Sequence, residues 1–233
     1  MKTRRILALA IACLLVSGCA GFNAESLDRI LNKPLDSETV AAGLKEALRI
    51  GTERSTNTTS AVDGFYGNAA IRVALPEQYD SVAKAIRDIG LGSQVDQFEL
   101  SMNRAAEKAS AEAVEVFWDS ITRMSISDAF GILNGEDNAA TEYFRRQTSS
   151  ELMARFQPIV ISSMKEVGVY RIHEDLVARY NMLPIAKPEA VDLDDYITER
   201  TVDGIFLILE GEEKKIRDDP AARTTELLRK VFG

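Results

Sequence analysis

From about residue 40 onward, apolar residues return every three or four positions, and only a helix aligns residues at that spacing on one face. Val40, Leu44, Ala47, Leu48 and Gly51 form one such stripe, with Lys45, Glu46 and Arg49 on the other side. Pro76 suits the first turn of a following helix, with Tyr79, Val82, Ala83, Ile86 and Ile89 inward and Gly90 as the stop. Ser93 is placed to cap a longer helix carrying Val95, Phe98, Met102, Ala105 and Ala109. Ser110 is placed to restart it, with Val114, Phe117, Trp118 and Ile121 buried. Ser127 or Asp128 opens a short helix through Phe130 and Leu133, ended by Asn134-Gly135, a pair suited to a left-handed cap. Asp137 or Asn138 caps a helix with Ala140, Tyr143 and Phe144. Later stripes are Leu152, Phe156, Ile159 and Met164, then Ile197, Gly204, Ile205 and Ile208, and Pro220 begins a last helix with Leu227, Leu228 and Val231. Only Ala70-Ile71-Arg72-Val73-Ala74-Leu75 alternates like a strand, too briefly to carry a sheet. The expected fold is all-α: a single multi-helix domain with at most one short strand or hairpin near residues 70–75.

The start of the chain follows a different rule. Met1-Lys2-Thr3-Arg4-Arg5 is basic, and Ile6 to Val16 is an uncharged run well short of the ~20 residues that a bilayer span requires. Val16-Ser17-Gly18-Cys19 then leads small residues into a cysteine, the layout of a bacterial lipoprotein signal peptide. The thiol of Cys19 would accept a diacylglyceryl group and the Gly18–Cys19 bond would be cut. Each buried methylene contributes about 0.8 kcal/mol, so two or three acyl chains hold firmly where one does not. The alternatives are an ordinary secretory signal with a chance cysteine or an uncleaved anchor helix. Ala20 follows the cysteine in place of the aspartate that favours inner-membrane retention. The expectation is therefore the inner leaflet of the outer membrane, facing the periplasm. This divides the chain into a signal at 1–18, the acylated Cys19 with a tether to residue 24, and a helical domain at 25–233. The tether, Ala20 to Ala24, reaches at most ~18 Å at about 3.5 Å per residue.

Charge and cysteine usage narrow the chemistry. Removing residues 1–18 takes away Lys2, Arg4 and Arg5 and no acid, leaving 25 basic against 36 acidic residues, a net of −11. Such a chain is a poor ligand for nucleic acid, which needs clustered Lys and Arg, and an anionic lipid surface repels it. Attachment to a membrane then rests on the acyl chains of Cys19. Cys13 leaves with the signal and Cys19 is acylated, so the mature domain has no free thiol for disulfides, zinc-thiolate sites or nucleophilic catalysis. About 210 residues suffice for one core, and no linker marks a second domain.

Several phrases along the body carry a family likeness. They are Ala42-Gly43-Leu44-Lys45-Glu46-Ala47-Leu48, Asp63-Gly64-Phe65-Tyr66-Gly67-Asn68 and Met102-Asn103-Arg104-Ala105-Ala106. The longest runs from Asp128 through Gly131-Ile132-Leu133-Asn134-Gly135 to Ala139-Ala140-Thr141-Glu142-Tyr143-Phe144-Arg145-Arg146. Leu193-Asp194-Asp195-Tyr196 and Glu212-Glu213-Lys214-Lys215-Ile216-Arg217 complete it. In these stretches the chain resembles a bacterial family known as domain of unknown function 4197, with Phe130 standing where that family suggests a lysine. The resemblance implies a mostly helical envelope protein and carries no activity with it.

Candidate sites are few. His173 is the only histidine, beside Glu174 and Asp175, and reads as a solvated helix residue. One histidine and no thiols leave no usual zinc set, and neither a nucleophile elbow nor a Walker loop is present. No cofactor is expected. Asn134-Gly135-Glu136-Asp137-Asn138 lacks the alternating acids and distal glutamate of a calcium loop and reads as a helix–turn–helix corner. Two similar phrases, Asp63-Gly64-Phe65-Tyr66 and Asp203-Gly204-Ile205-Phe206, place a carboxylate beside apolar residues. Asp203 at the edge of a core needs a partner, which Arg104 or Arg145 could supply. The expectation is a polar pocket or a buried ion pair drawn from Asp63, Asn68, Asn103, Arg104, Arg145, Arg146 and Asp203. Gly43, Gly131 and Gly204 inside helical stripes would permit close helix crossing.

Three functions follow as expectations. The first is a non-enzymatic envelope lipoprotein that binds another envelope protein or an apolar ligand between its helices. The second is a carboxylate-dependent enzyme acting on envelope glycans through acids such as Asp63, Asp194 or Asp203, which requires carboxylates about 5 or 6.5–9.5 Å apart. The third is a structural spacer without a pocket of ligand size, ~300 Å³ or more.

Overall fold

Where each helix starts and stops is set by how its terminal backbone groups find partners. The computed structural model describes residues 36–166, 191–222 and the isolated positions 170, 173, 174, 177, 178, 182, 225, 229 and 231. The expected leader, Cys19 and tether lie outside them, as do Leu227 and Leu228. The chain divides into two units, Met1–Asp36 and Ser37–Gly233, and the helices belong to the second. They are α1 (Ser37–Ser60), α2 (Asp80–Asp88), α3 (Gly92–Ser110), α4 (Ala113–Arg123), α5 (Ile126–Leu133), α6 (Ala139–Glu166) and α7 (Leu193–Asp218). Short 3₁₀ turns lie at Glu77–Tyr79 and Pro220–Ala222, and no strand occurs among the described residues. The fold is all-α.

Local chemistry accounts for several ends. Gly90 adopts φ +82°, and the N–H groups of Gly90 and Leu91 reach back to the carbonyls of Arg87 and Ile86, a left-handed stop that glycine adopts without steric cost. Ser125 caps α5 in a reciprocal box with Asp128, and Asp192 caps α7 by accepting from the N–H groups of Asp194 and Asp195. Other ends differ from the sequence reading. Helix α3 begins at Gly92 without a side-chain cap, and α5 begins two residues ahead of Asp128. Asn134 has φ −97°, so the Asn134-Gly135 corner is not a left-handed cap. Gly135 is needed there for space, because a Cβ would meet the Cβ of Ala139 at 2.7 Å and the carbonyl of Gly131 at 2.8 Å.

Helix α7 packs on α1, α3 and α6, and α3 packs on α6; α4 and α5 lie across α1 and α6, and α2 rests on α3. The core they enclose is built on Phe65, Phe98, Phe117, Phe144, Phe156 and Phe206, each fully buried. Phe117 meets Phe144 and Phe206 edge-on at 5.3 and 6.0 Å, the arrangement that the ring quadrupole favours. Helix α6 runs unbroken through Pro158, whose ring lies on its exposed side, so Leu152, Phe156, Val160 and Met164 form one buried stripe.

In α4 the apolar face is offset by one residue from the expected one. Ala113, Val116, Phe117, Ser120 and Ile121 are buried, while Val114 and Trp118 are 40% and 49% exposed. The chain turns at Ala111–Glu112 before α4 starts, which resets its rotation relative to α3. Ile89, at the end of α2, is exposed as well.

Close packing uses small hydroxyl residues. Thr52, Thr59, Thr148, Thr198 and Thr201 are buried and each donates its hydroxyl to the carbonyl four residues earlier in its own helix, at 2.6–3.0 Å. The polar group is thereby satisfied internally, and the methyl is left to face the neighbouring helix. Ser55 instead reaches across from α1 to the carbonyl of Ile205 in α7, at 3.1 Å.

The 70–75 segment is not a paired strand. Residues 72–76 carry no regular structure, yet Val73 donates its N–H to Oδ1 of Asn103 and accepts from Nδ2 of the same side chain, both at 2.8 Å. One carboxamide thus takes the place of a neighbouring strand. That geometry requires the N–H and C=O of Val73 to point the same way, as they do in extended backbone.

Candidate functional site

Asp63, Asn68, Asn103 and Arg104 collect around the connection between α1 and α2. Asp63, in the turn that follows α1, has φ +65°, a left-handed conformation uncommon outside glycine but better tolerated by Asp and Asn. Gly64 lies under the end of that helix, where a Cβ would come within 2.3 Å of the Thr58 carbonyl and 2.8 Å of the Thr59 carbonyl. The turn aims Phe65 into the core and Tyr66 outward. At Asn68, Oδ1 accepts the Ala70 N–H at 3.1 Å, a local turn bond.

Beneath this turn is an acid that the sequence reading missed. Glu107, buried on α3, accepts the backbone N–H groups of Phe65 and Tyr66, both at 3.2 Å, and a bond from Arg104 at 2.6 Å. Arg104 also donates to Asp63 at 2.7 Å, and these carboxylates hold its guanidinium firmly protonated, Glu107 chief among them. Arg72 stacks 4.1 Å over the Tyr66 ring and faces Glu99 at 3.5 Å. A second missed acid, Glu213, is buried at the other end of α7. It accepts the N–H groups of Ala140 and Thr141 at 2.9 Å and the Thr141 hydroxyl at 2.8 Å, capping the start of α6 from another helix, while Arg217 holds it at 2.8 Å. In sequence Glu213 sits in a charged run that reads as a solvated face. Its only signal is membership of a family-like phrase.

The expected buried ion pair is a correction. Asp203 does pair with Arg145, at 3.3 Å, but its side chain is 59% exposed and that of Asp63 is 57% exposed. Asp203 faces solvent because Gly204, next to it, takes the inward position: a Cβ there would lie 2.6 Å from the Phe65 ring and 3.3 Å from the Cβ of Ile71. The structure joins Asp63 to Arg104 and Asp203 to Arg145, places Asn103 under Val73, and puts Arg146 elsewhere.

His173 is not the solvated residue expected. Its ring stacks on Phe98 and meets Tyr79 edge-on, each at 6.0 Å, and burial lowers its pKa. Its Nε2 is buried without a hydrogen-bond partner among the described residues.

Two open grooves flank these features. One, of about 400 Å³, runs between Ala70–Glu77 and one stripe of α7, Tyr196, Arg200, Asp203 and Leu207. The other, of about 360 Å³, lies at the α5–α6 corner, with Asp128, Glu136, Glu142, Tyr143 and Arg146 on its walls and Gly131 on its floor. By contrast, the apolar gap between α1 and α7, beside Leu48, Gly51, Leu209 and Ile216, holds about 20 Å³, room for little more than one water.

The candidate acids do not converge. Asp63 binds Arg104, Asp203 binds Arg145, and Asp194 accepts the Tyr170 hydroxyl at 2.5 Å, which helps burial push the tyrosine pKa up. Asp194 and Asp203 are nine positions apart on α7, about 13.5 Å along its axis. No cluster of three His, Cys, Asp or Glu side chains suited to a metal occurs among the described residues.

Fold and grooves together define an all-α domain with two open surface grooves. The chain belongs to the family described as Protein of unknown function (DUF4197), which matches residues 34–233. No curated protein and no solved structure matches it.

Proposed function

We propose that the protein is a lipid-anchored envelope lipoprotein, acylated at Cys19 and facing the periplasm from the outer membrane, whose helical body binds a partner protein and catalyses no reaction. The observation that carries the binding role is the contrast between interior and surface. The gap between α1 and α7 is too small for an acyl chain, while two surface grooves exceed the ~300 Å³ typical of ligand sites. The first favours a partner held outside the helices over an apolar ligand held between them. The second speaks against a bare spacer. Glycan hydrolysis has less support, because the candidate carboxylates are engaged by separate partners and Asp194 and Asp203 lie too far apart along α7 for a catalytic pair.

The anchor rests on Val16-Ser17-Gly18-Cys19 and the short apolar run before it. Metabolic labelling with an alkyne palmitate tests it: the wild type takes the label and fractionates with membranes, and Cys19→Ala loses both. A labelled Cys19→Ala protein overturns the anchor. Photocrosslinking in intact cells tests the binding role, with a photoreactive residue at Leu207 in one groove and at Gly131 in the other. A reproducible protein adduct from either position is expected, and its absence from both overturns an interaction module.

A further inference from the structure

We infer that the groove between Arg72–Glu77 and α7 receives an extended peptide segment of a partner protein, paired through its backbone to Arg72 and Ala74 with an acidic side chain set against Arg200. This deepens the interaction role proposed above and rests on it.

Backbone accounting carries the inference. Asn103 satisfies the inward edge of the segment at Val73, which is buried and does not line the groove. Its neighbours Arg72 and Ala74 are exposed and do line it. In extended backbone, successive residues point their N–H and C=O groups to opposite edges, so those of Arg72 and Ala74 face away from Asn103. The Ala74 carbonyl confirms the direction by accepting the Tyr196 hydroxyl at 3.0 Å, from the far wall of the groove. The Arg72 N–H is used in the preceding turn, by the Asn68 carbonyl at 2.9 Å. That leaves the Arg72 C=O and the Ala74 N–H without a partner among the described residues. These are the two groups that a parallel strand uses to bind one residue placed opposite Val73. An antiparallel close pair at Ala74 would have to displace Tyr196, so the parallel register is the one the groove accepts.

The walls match such a guest. Leu207 is 46% exposed and Leu75 partly buried, giving an apolar contact for one face of the peptide. Asp203 is engaged by Arg145 and Arg72 by Glu99, whereas Arg200 makes no ion pair among the described residues and lies 5.4 Å from the Tyr196 ring. Arg200 is thus the cation of the groove that is open to a carboxylate, on a body whose charge is otherwise strongly acidic. A lipid headgroup would use Arg200 but could not supply the alternating donor and acceptor that Arg72 and Ala74 require.

The test uses the full-length protein and a fluorescent pool of octapeptides that alternate Val and Thr, with Glu or Lys placed at each position in turn. Binding of Glu-bearing members is expected, weakened about tenfold or more when one alternate set of peptide amides is N-methylated, since the methyl replaces the N–H that the Arg72 C=O would accept and holds the guest away from the Ala74 N–H. Arg200→Glu should transfer the preference to the Lys-bearing members, and Leu207→Glu should weaken binding to both. Ala74→Pro removes the N–H and fixes φ near −65°, and should abolish binding; if it fails to fold, N-methylation and Arg200→Glu still decide. No binding tighter than about 1 mM, or binding indifferent to N-methylation at every position, overturns the peptide site. If that happens while the photocrosslinker at Leu207 or Gly131 still captures a protein, backbone pairing falls and the interaction role stands. If neither crosslinks and no peptide binds, both fall.

Discussion

Asp63-Gly64-Phe65-Tyr66 and Asp203-Gly204-Ile205-Phe206 begin alike in sequence and end as the two halves of one contact. In the first, the aspartate takes a left-handed conformation in the turn after α1 and the glycine fits under carbonyl oxygens at the end of that helix. In the second, both residues are in mid-helix, and the glycine makes room on α7 for the phenylalanine of the first. Glycine in one phrase relieves a clash with backbone, and in the other it relieves a clash with a side chain. Backbone at a helix end cannot retreat, whereas a ring can shift at some cost to packing. The carboxylates behave alike in both phrases: each reaches an exposed arginine pair, and the acid that holds the contact together is Glu107 beneath.

The comparison predicts a ranking of substitutions, measured by urea unfolding of the full chain. Gly64→Ala should be the most damaging, by about 3 kcal/mol or more, because its Cβ meets three carbonyl oxygens at 2.3–2.9 Å. A loss no larger than that of Gly204→Ala would show that the turn can open freely. Glu107→Ala should cost about 3 kcal/mol, since it strips two buried N–H groups and Arg104 of their acceptor. Asp203→Ala, at an exposed pair, should stay within about 0.5 kcal/mol. Equal losses would mean that the carboxylates in the phrases matter as much as the one below them.

Gly204→Ala should cost about 1–3 kcal/mol through its clash with the Phe65 ring. Trimming that ring with Phe65→Leu should make the double variant less unstable than the sum of the singles. Additivity would break the proposed lock between the phrases. The smallest effect separates packing glycines from idle ones: nothing lies within 4 Å of a Cβ at Gly131, so Gly131→Ala should raise stability by up to about 1 kcal/mol. A loss there would reveal a constraint that the α5–α6 corner does not show.

Much of the helical framework could be read from spacing, because burial of one face imposes its period on the residues. Phe98, Met102, Phe144, Leu152, Ile197 and Ile205 were all placed inside on that ground and are buried. The reading failed where two stripes compete. In α4, Val114–Trp118 and Ala113–Val116–Phe117 are equally periodic, and the turn before Ala113 chooses between them. It failed also for Glu107 and Glu213. A charged residue reads as solvated until the N–H groups that need it are known, and those lie 41–42 and 72–73 residues away in the chain. Asn103 was singled out as a polar candidate, but its role as a substitute strand depends on Val73, thirty residues earlier.

Period, turn chemistry and family membership are local or cumulative properties of the chain, and they were enough for an all-α body of the DUF4197 family. Which aspartate is exposed, which glutamate is buried and where an extended edge goes unpaired depend on helices meeting across the fold. Desolvation and hydrogen-bond satisfaction are set by neighbours distant in sequence, so those features became visible only once Phe65 was seen resting on Gly204.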